Sequence, residues 1–426
     1  MIMNDLHPVP HLTTPNTKPL QVLEQLMLAK QIDIESWFRK QWQQTPAPLT
    51  SSVDVRNAGF KVAPVDTNLY PAGFNNLNTE FHPMCIQAAQ SIICESMPGC
   101  KKIMLVPENH TRNPFYFESL SVLQDIFQNA GFDVRIGSLR DDQIAPETYR
   151  LESGKTLTYH PTKRINNRLC IGDFSPCLIL LNNDLSDGVP EKLQNLEQWV
   201  RPSEHLGWDK RFKSDHFSHY AKVVNEFCQH VDIDDWQIAP LFSTFVDIDF
   251  KRRESDQALA DAVDKLLGEI QQKYTVHKIN DAPYVVVKAD AGTYGMGILM
   301  VHSGAELLSL NRKQRNKMAK GKGNKQIERV ILQEGVPTLE SWQTNDAVAE
   351  PVIYMIGHHV IGGFYRVHTG RGPNENLNAP GMHFEPLAFA KPCNYPKEND
   401  CQNRFYIYGV IARLAALAAA RELASL

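Results

Sequence analysis

Lys288 has the clearest chemical context in this chain. It closes a β-branched run, Tyr284 to Val287, and stands just ahead of a loop holding Gly292, Thr293, Tyr294, Gly295, Met296 and Gly297. Ile298 to Val301 is apolar again. Glycines let the backbone turn tightly and aim successive N–H groups at one object, usually an anion. The lysine adds a point charge, so the guest that suits this stretch is a phosphate. In a Walker A loop the lysine follows the glycines and a helix comes next; in a dinucleotide fingerprint, G-x-G-x-x-G opens a helix. Here the lysine comes first, the glycines run G-x-x-G-x-G and a strand follows. That order predicts a hairpin folded over a nucleotide. An ordinary glycine-rich turn also accounts for the motif taken alone.

Other candidates lie downstream and upstream of it. Gln333 and Glu334 end the apolar run V-I-L-Q-E and are placed to meet an adenine edge and ribose hydroxyls. Glu350 lies on one predicted strand, and Glu375, Asn376 and Asn378 lie in the loop after the next. Their carboxylate and amide oxygens suit Mg²⁺, a hard cation that prefers oxygen ligands. Arg366 and Arg371 are cations able to neutralise charge on a transferring phosphoryl group. Between residues 54 and 76, Asp54, Arg56, Lys61, Asp66, Asn68, Asn75 and Asn76 crowd among apolar neighbours. Two readings fit them: turn chemistry through Asn and Asp side chains, or a pocket for a zwitterionic small molecule, with cations for its carboxylate and Asp or Asn for its ammonium. The run at 311–325, with seven basic residues and no acidic one, reads as a solvated, mobile segment; a cationic lid over phosphates is the rival reading.

Positioning these residues takes an ordinary folded body. The 426 residues are 42% hydrophobic and 22% charged, enough for a sizeable core. A net charge of -4 argues against a general binder of nucleic acid or acidic membrane. No apolar run approaches the ~20 residues that span a bilayer, and M-I-M-N-D-L-H-P-V-P lacks the basic start and apolar core of a signal peptide. A cytoplasmic location is expected, with room for homo-oligomerisation. The 8 cysteines form no C-x-x-C, so they read as reduced, mostly buried thiols and not as a zinc site. Helices are predicted over Leu20 to Gln43 with a break near Asp33, over Asn113 to Ala130 with Gly131 as C-cap, and over His219 to Val231, Ala258 to Tyr274 and Arg404 to Leu426. Strands are predicted at Lys101 to Pro107, Phe132 to Ile136, Leu178 to Asn182, Val330 to Glu334, Val348 to Met355 and His359 to Val367. The unit at 101–136 is β-α-β, as in a parallel sheet, and Glu108 to Arg112 follow a strand end where such sheets bind ligands.

The order of parts resembles the ATP-grasp superfamily. Four blocks narrow this: V-D-T-N-L-Y-P-A-G-F-N-N-L at 65–77, R-P-S-E-H-L-G-W-D-K-R-x-K-S-x-H-F at 201–217, V-V-K-A-D-A-G-T-Y-G-M-G-I at 286–298, and the segment 361–387. Together, from about residue 50 to the end, they resemble the proteobacterial glutamate–cysteine ligase family. That resemblance implies an α/β (α+β), ATP-grasp-like fold with an antiparallel sheet. It also implies ATP and Mg²⁺ as cofactors, and ADP-forming joining of the glutamate γ-carboxylate to the cysteine amine through an acyl phosphate, the first step of glutathione synthesis. By the same resemblance Lys213 and Lys288 flank the phosphates and Arg366 stabilises the acyl phosphate; the density of charged and amide groups makes Arg56, Asp66, Asn68 and Asn75 the expected amino-acid pocket. N-L-N-A-P-G at 376–381 resembles a metal-binding N-x-x-x-G-G segment with Pro380 in place of the first glycine, which leaves Asn376 and Asn378 as alternative ligands and Glu350 and Glu375 as alternative bridging carboxylates. The division expected is 1–200 as an N-terminal α/β domain, 201–280 as a small α-rich subdomain and 281–426 as the subdomain with hairpin and metal site. Rival readings are a carboxylate–amine ligase for another amino-acid pair, a nucleotide-binding module without turnover, and a Rossmann-type oxidoreductase.

Overall fold

The structure, a computed structural model, describes residues 12–13, 17–109, 113–292, 297–319, 326–342, 347–387 and 404–426. Mixed helix and sheet is the observed class, and the strands form three principal sheets.

The largest sheet is antiparallel and seven-stranded, and draws from both ends of the chain. Its centre is the hairpin of Ala347–Ile356 and His359–His368, turned at Gly357 with φ 57. Thr50–Asn57 pairs with the first of these strands and with Val62–Asn68. Both faces of the central hairpin are buried, which is why it reads as a nearly continuous apolar run. On one face lie the helices Lys18–Ala29, Gln31–Gln44, Lys213–Val231 and Arg404–Ala424, sharing one core. The break between the first two falls at Lys30, three residues before the expected place. The last helix lies deeper than an amphipathic reading implies: from Ile411 to Ala419 only Arg413 is not fully buried. A helix that is apolar all round belongs inside.

The second sheet is six-stranded. Trp199–Arg201, Leu178–Asn182, Lys102–Pro107, Asp133–Ser138 and Thr156–Pro161 run parallel, and Glu147–Arg150 closes the edge antiparallel. Helix Pro114–Asn129 crosses between Lys102–Pro107 and Asp133–Ser138, so the β-α-β unit stands. Asn113 caps it by accepting from Phe115 N, and Gly131 follows it at φ 96.

The third sheet is four-stranded and antiparallel, in the order Phe242–Val246, Arg329–Glu334, Val285–Ala289, Ile298–Val301. The expected strand–loop–strand is present, with Lys288 opposite Ile298. Gly292 and Gly297 take positive φ, 94 and 62, a region that glycine enters without strain; Thr293, Tyr294, Gly295 and Met296 lie outside the described residues. Helix Asp256–Val276 covers this sheet. Phe242–Val246 lies in the stretch expected to be α-rich, but its β-branched and aromatic residues pair along Arg329–Glu334 instead. The described part of the basic run is largely solvated, with Arg312, Lys313 and Lys317 exposed, but Arg315 is an exception. Residues Arg312–Met318 are helical, and Arg315 is buried against Asp256 and the carbonyls of Phe250 and Leu310; residues 320–325 lie outside the described ones.

Candidate active site

A cavity of about 740 Å³ opens where the three sheets meet. Lys288 reaches it from the glycine hairpin, Lys213 from the first turn of its helix, and Asp54, Arg56 and Asp66 from the paired N-terminal strands. Glu350 and Arg366 enter from the central hairpin, Asn376 and Asn378 from the loop after it, and Gln333 and Glu334 from the end of their strand. Asn68, Asn75, Tyr70, Trp208, Glu108 and Asp184 complete the far wall. The strand alternation explains part of this: Asp54 and Arg56 are two residues apart and so share a face.

Charge is arranged in two linked groups. In the first, Asp66 accepts from Lys213 Nζ at 2.7 Å, while Lys288 Nζ donates to Val65 O at 2.7 Å. Burial would raise the Asp66 carboxyl, but Lys213 and Lys288 hold it down at about 2. Burial pushes Lys288 down to about 8, with Asp66 opposing that fall and Lys213 adding to it. Lys213 Nζ also lies 4.1 Å from the centre of the Trp208 ring, a cation–π contact.

The second group is a quartet of three buried residues, Arg56, Glu350 and Arg366, and the half-buried Asp54. Glu350 and Arg366 are cross-strand partners. Arg366 Nη1 donates to Glu350 Oε1 and, at 3.0 Å, to Asp54 Oδ2. Arg56 Nε donates to Glu350 Oε2 at 2.9 Å. Burial alone would raise Glu350; the two arginines overcome it and hold the carboxyl below its usual range. For Asp54 burial prevails over Arg366, with Glu350 and Asp66 adding to the rise.

Several expected residues are committed to the fold. Arg56 also donates to Val336 O at 3.2 Å and Glu375 O at 2.6 Å, so its guanidinium ties the 373–375 loop to the strands. Glu334 is held by Lys61 Nζ at 2.6 Å, Trp236 Nε1 at 3.1 Å and Leu241 N at 2.8 Å. The ribose contact expected of it competes with these three donors. Glu375 turns to Arg371 Nη1 at 2.7 Å and Gly372 N at 2.7 Å and is not among the cavity-lining residues, unlike Glu350, Asn376 and Asn378. Asn68 accepts from Tyr70 N at 3.0 Å, which is turn chemistry at a residue that also lines the cavity. Among the described residues, no group of three or more His, Cys, Asp or Glu could hold a metal ion.

Four lining residues keep buried polar atoms with no partner among the described residues: Arg366 Nε, Gln333 Nε2, Trp208 Nε1 and Asn75 Oδ1. Such groups are scarce in folded proteins because each costs free energy. Three donors and one acceptor around one cavity suit a polar ligand rich in acceptors. The sequence places Asp54 among the candidate pocket residues but gives it no partner, and it does not point to Asp290 at all. The period-2 relation to Arg56 was available for Asp54; nothing local marked Asp290, whose partners lie on another element.

The family profile for glutamate-cysteine ligase matches residues 24–423. A crystal structure from Methylobacillus flagellatus KT, provisionally named a gamma-glutamylcysteine synthetase, is 52% identical, with 98% of this chain and 99% of that one covered and a TM-score of 0.89. A glutathione synthetase-like effector from Globodera pallida is 9% identical over 86% of this chain and 80% of its own, with a TM-score of 0.34. D-alanyl-alanine synthetase A from Vibrio cholerae is 9% identical over 74% and 81%, with a TM-score of 0.35. These last two are too distant to bear on the site. No curated protein matches the chain. No described helix is long and apolar enough to cross a membrane. With its profile matched almost end to end and half its residues shared with a solved relative of the same length, the chain belongs to the glutamate-cysteine ligase family, enzymes that use ATP to join two small molecules.

Proposed function

We propose that the cavity between the three sheets is where this ligase activates the glutamate γ-carboxylate and joins it to the cysteine amine. The observation that carries this reading is the convergence of Lys213, Lys288, Arg56 and Arg366 on one cavity that still holds unpartnered donors.

A carboxylate oxygen of glutamate attacks the γ-phosphorus of ATP, the bond to the bridging oxygen breaks, and ADP leaves. The amine nitrogen then attacks the acyl carbon, phosphate departs, and the amine gives up a proton. No protein nucleophile is needed; positioning and charge neutralisation supply the catalysis. Lys288 and Lys213 hold phosphate oxygens. Arg366, with Nε to spare, meets charge on the acyl phosphate. Gln333 Nε2 donates to the adenine edge, and Asn75 with Asp66 and Asn68 receives the amino acid. Arg56 acts through Glu350 and the 373–375 loop that it holds.

Mg²⁺ fits the donors present. Such an ion takes one or two protein carboxylates and completes its shell with phosphate oxygens and water, and Glu350, Asn376 and Asn378 are oxygen donors on the cavity wall. When bound it draws charge off the phosphates. A cytoplasmic setting for an enzyme with ATP and a thiol among its substrates completes the reading; the boundaries at 200 and 280 do not carry over, because strand Trp199–Arg201 straddles the first and the large sheet joins residues 50–68 to 340–386.

The test is ADP release with glutamate plus cysteine, each omitted in turn. Release that needs both supports the assignment, and release that needs neither overturns it.

A further inference from the structure

The helix that presents Lys213 has no cap of its own. Its N-cap residue is Phe212, whose side chain makes no capping hydrogen bond, yet the helix starts inside the protein, with Lys213 and Ser214 both buried. Orphan N–H groups at a buried helix start must be met from elsewhere. They are met by one residue on another element. Asp290 follows the last residue of the glycine-hairpin strand and is fully buried. Its carbonyl accepts from Lys213 N at 2.7 Å, and its carboxylate accepts from Ser214 N at 2.8 Å and Ser214 Oγ at 2.7 Å. Arg329 Nε lies 2.5 Å from that carboxylate as its counter-ion, and Asp290 N donates to Arg329 O at 3.1 Å.

We propose that Asp290 is a positioning residue for ATP, one that fixes the Lys213 helix to the glycine hairpin and so sets both phosphate-binding lysines relative to each other. The inference rests on the reading that Lys213 and Lys288 hold ATP phosphates. Lys288 lies two residues before Asp290 on one side, and Gly292, with φ 94, begins the loop two residues after it. Lys213 is the residue whose N–H the Asp290 carbonyl receives. Any shift of the latch therefore changes the spacing of the lysines and the entry of the loop together. The carboxylate is also the anion that a helix N-terminus favours, so its charge matters as well as its shape.

The experiment compares Asp290→Asn, Ser214→Ala and Lys213→Ala in the full-length enzyme, with KM for ATP, glutamate and cysteine, kcat, and thermal stability measured for each. Asp290→Asn keeps an acceptor oxygen but loses the charge that balances Arg329. It is expected to raise the KM for ATP at least tenfold while the two amino-acid KM values change less than threefold. Ser214→Ala, which removes one hydroxyl and leaves the backbone contacts, is expected to raise the KM for ATP in the same direction by a smaller factor. Because Lys213 lies on the Trp208 ring, both variants are also expected to shift the tryptophan emission relative to the unmodified enzyme. If Lys213→Ala leaves the KM for ATP unchanged, the phosphate reading itself fails. If Lys213→Ala raises it but neither Asp290→Asn nor Ser214→Ala does, the latch is overturned. Equal loss in all three KM values alongside a lowered melting temperature would mean a merely structural role, and overturns it too.

Discussion

Arg366 donates from a single nitrogen, Nη1, to two carboxylates on two different strands, Glu350 and Asp54. The pair Glu350–Arg366 is fixed by strand register, and Asp54 is brought in by the pairing of Thr50–Asn57 with the same strand. Arg366 is thus both the counter-ion of the buried Glu350 and the half-buried Asp54 and the carrier of an unused Nε donor. Arg366→Ala is expected to lower kcat about 10²–10³-fold, the range for losing a preorganised donor to developing charge. It is also expected to cost roughly 1–3 kcal/mol of stability, because the buried Glu350 loses one of its two arginines and the half-buried Asp54 loses its partner. Arg366→Lys keeps the charge and is expected to recover most of the stability and little of the rate. ADP release at saturating substrates, with denaturant unfolding alongside, separates the two effects.

The Lys288 ammonium, pushed down to about 8, gives ATP binding a pH dependence. Phosphate capture needs the charged form, so kcat/KM for ATP is expected to fall as pH rises through about 8, with a weaker effect on kcat, since bound phosphates favour the charged lysine. Asp66→Asn removes a charge that supports the ammonium and is expected to move this limb to lower pH. Unfolding does not mimic the effect. An unfolded lysine titrates at the ordinary value of 10.5, so between about 8 and that value the unfolded chain binds more protons. This residue's contribution to stability therefore rises with pH there. Lys61, also lowered to about 8 by burial, has the same sign. A pH profile that keeps its full value through pH 9 would count against the charged Lys288.

Gly335 follows the Arg329–Glu334 strand, and a side chain there has no room. A Cβ would overlap the Tyr284 ring, while Gly335 N donates to Tyr284 O at 2.8 Å. Gly335→Ala is expected to destabilise the protein by about 1–3 kcal/mol and to raise the KM for ATP, since Tyr284 directly precedes the hairpin strand. Gly268, inside helix Asp256–Val276, has open space around it. Gly268→Ala is expected to stabilise by about 0.5–1 kcal/mol. Urea unfolding of the two variants checks the opposite signs.

Arg315 belongs to the basic run yet is buried, while Lys313 in the same helix is exposed. Arg315→Ala leaves Asp256 without its partner and is expected to cost about 3–5 kcal/mol. Lys313→Ala is expected to stay within about 0.5 kcal/mol. Equal melting temperatures for the two variants would contradict the buried pairing.

What the sequence made legible was local. The Val285–Ala289 and Ile298–Val301 hairpin, the strand ending at Glu334 and the pair carrying Glu350 and Arg366 all announce themselves by β-branched runs and glycines, and the structure has them within a residue or two. Helix Pro114–Asn129 carries its own start and stop in Asn113 and Gly131. The long-range relations were not legible. V-D-V-R at 53–56 has alternation enough to say strand, but nothing in it says that Asp54 will share Arg366 with Glu350. The 242–246 strand is too short for its period to stand out beside two long helices. Glu334 looked free because Lys61 and Trp236, its partners, are far away in the chain. Arg315 looked solvated because its burial depends on Asp256, 59 positions earlier.

The seven-stranded sheet has a consequence for the life of the chain before it is an enzyme. Thr50–Asn57 leaves the ribosome nearly 300 residues ahead of Ala347–Ile356, the strand it pairs with. Until that partner arrives, the early hairpin has an open edge, and its Asp54 and Arg56 lack the charges that neutralise them. The last helix, which fills the core beneath this sheet, is made later still. Pairings this distant close large loops, so their formation is slow and follows completion of the chain. The wall of the cavity that carries Glu350 and Arg366 is therefore the last to arrive, and a chain that stops before residue 347 leaves the edge of Thr50–Asn57 unpaired.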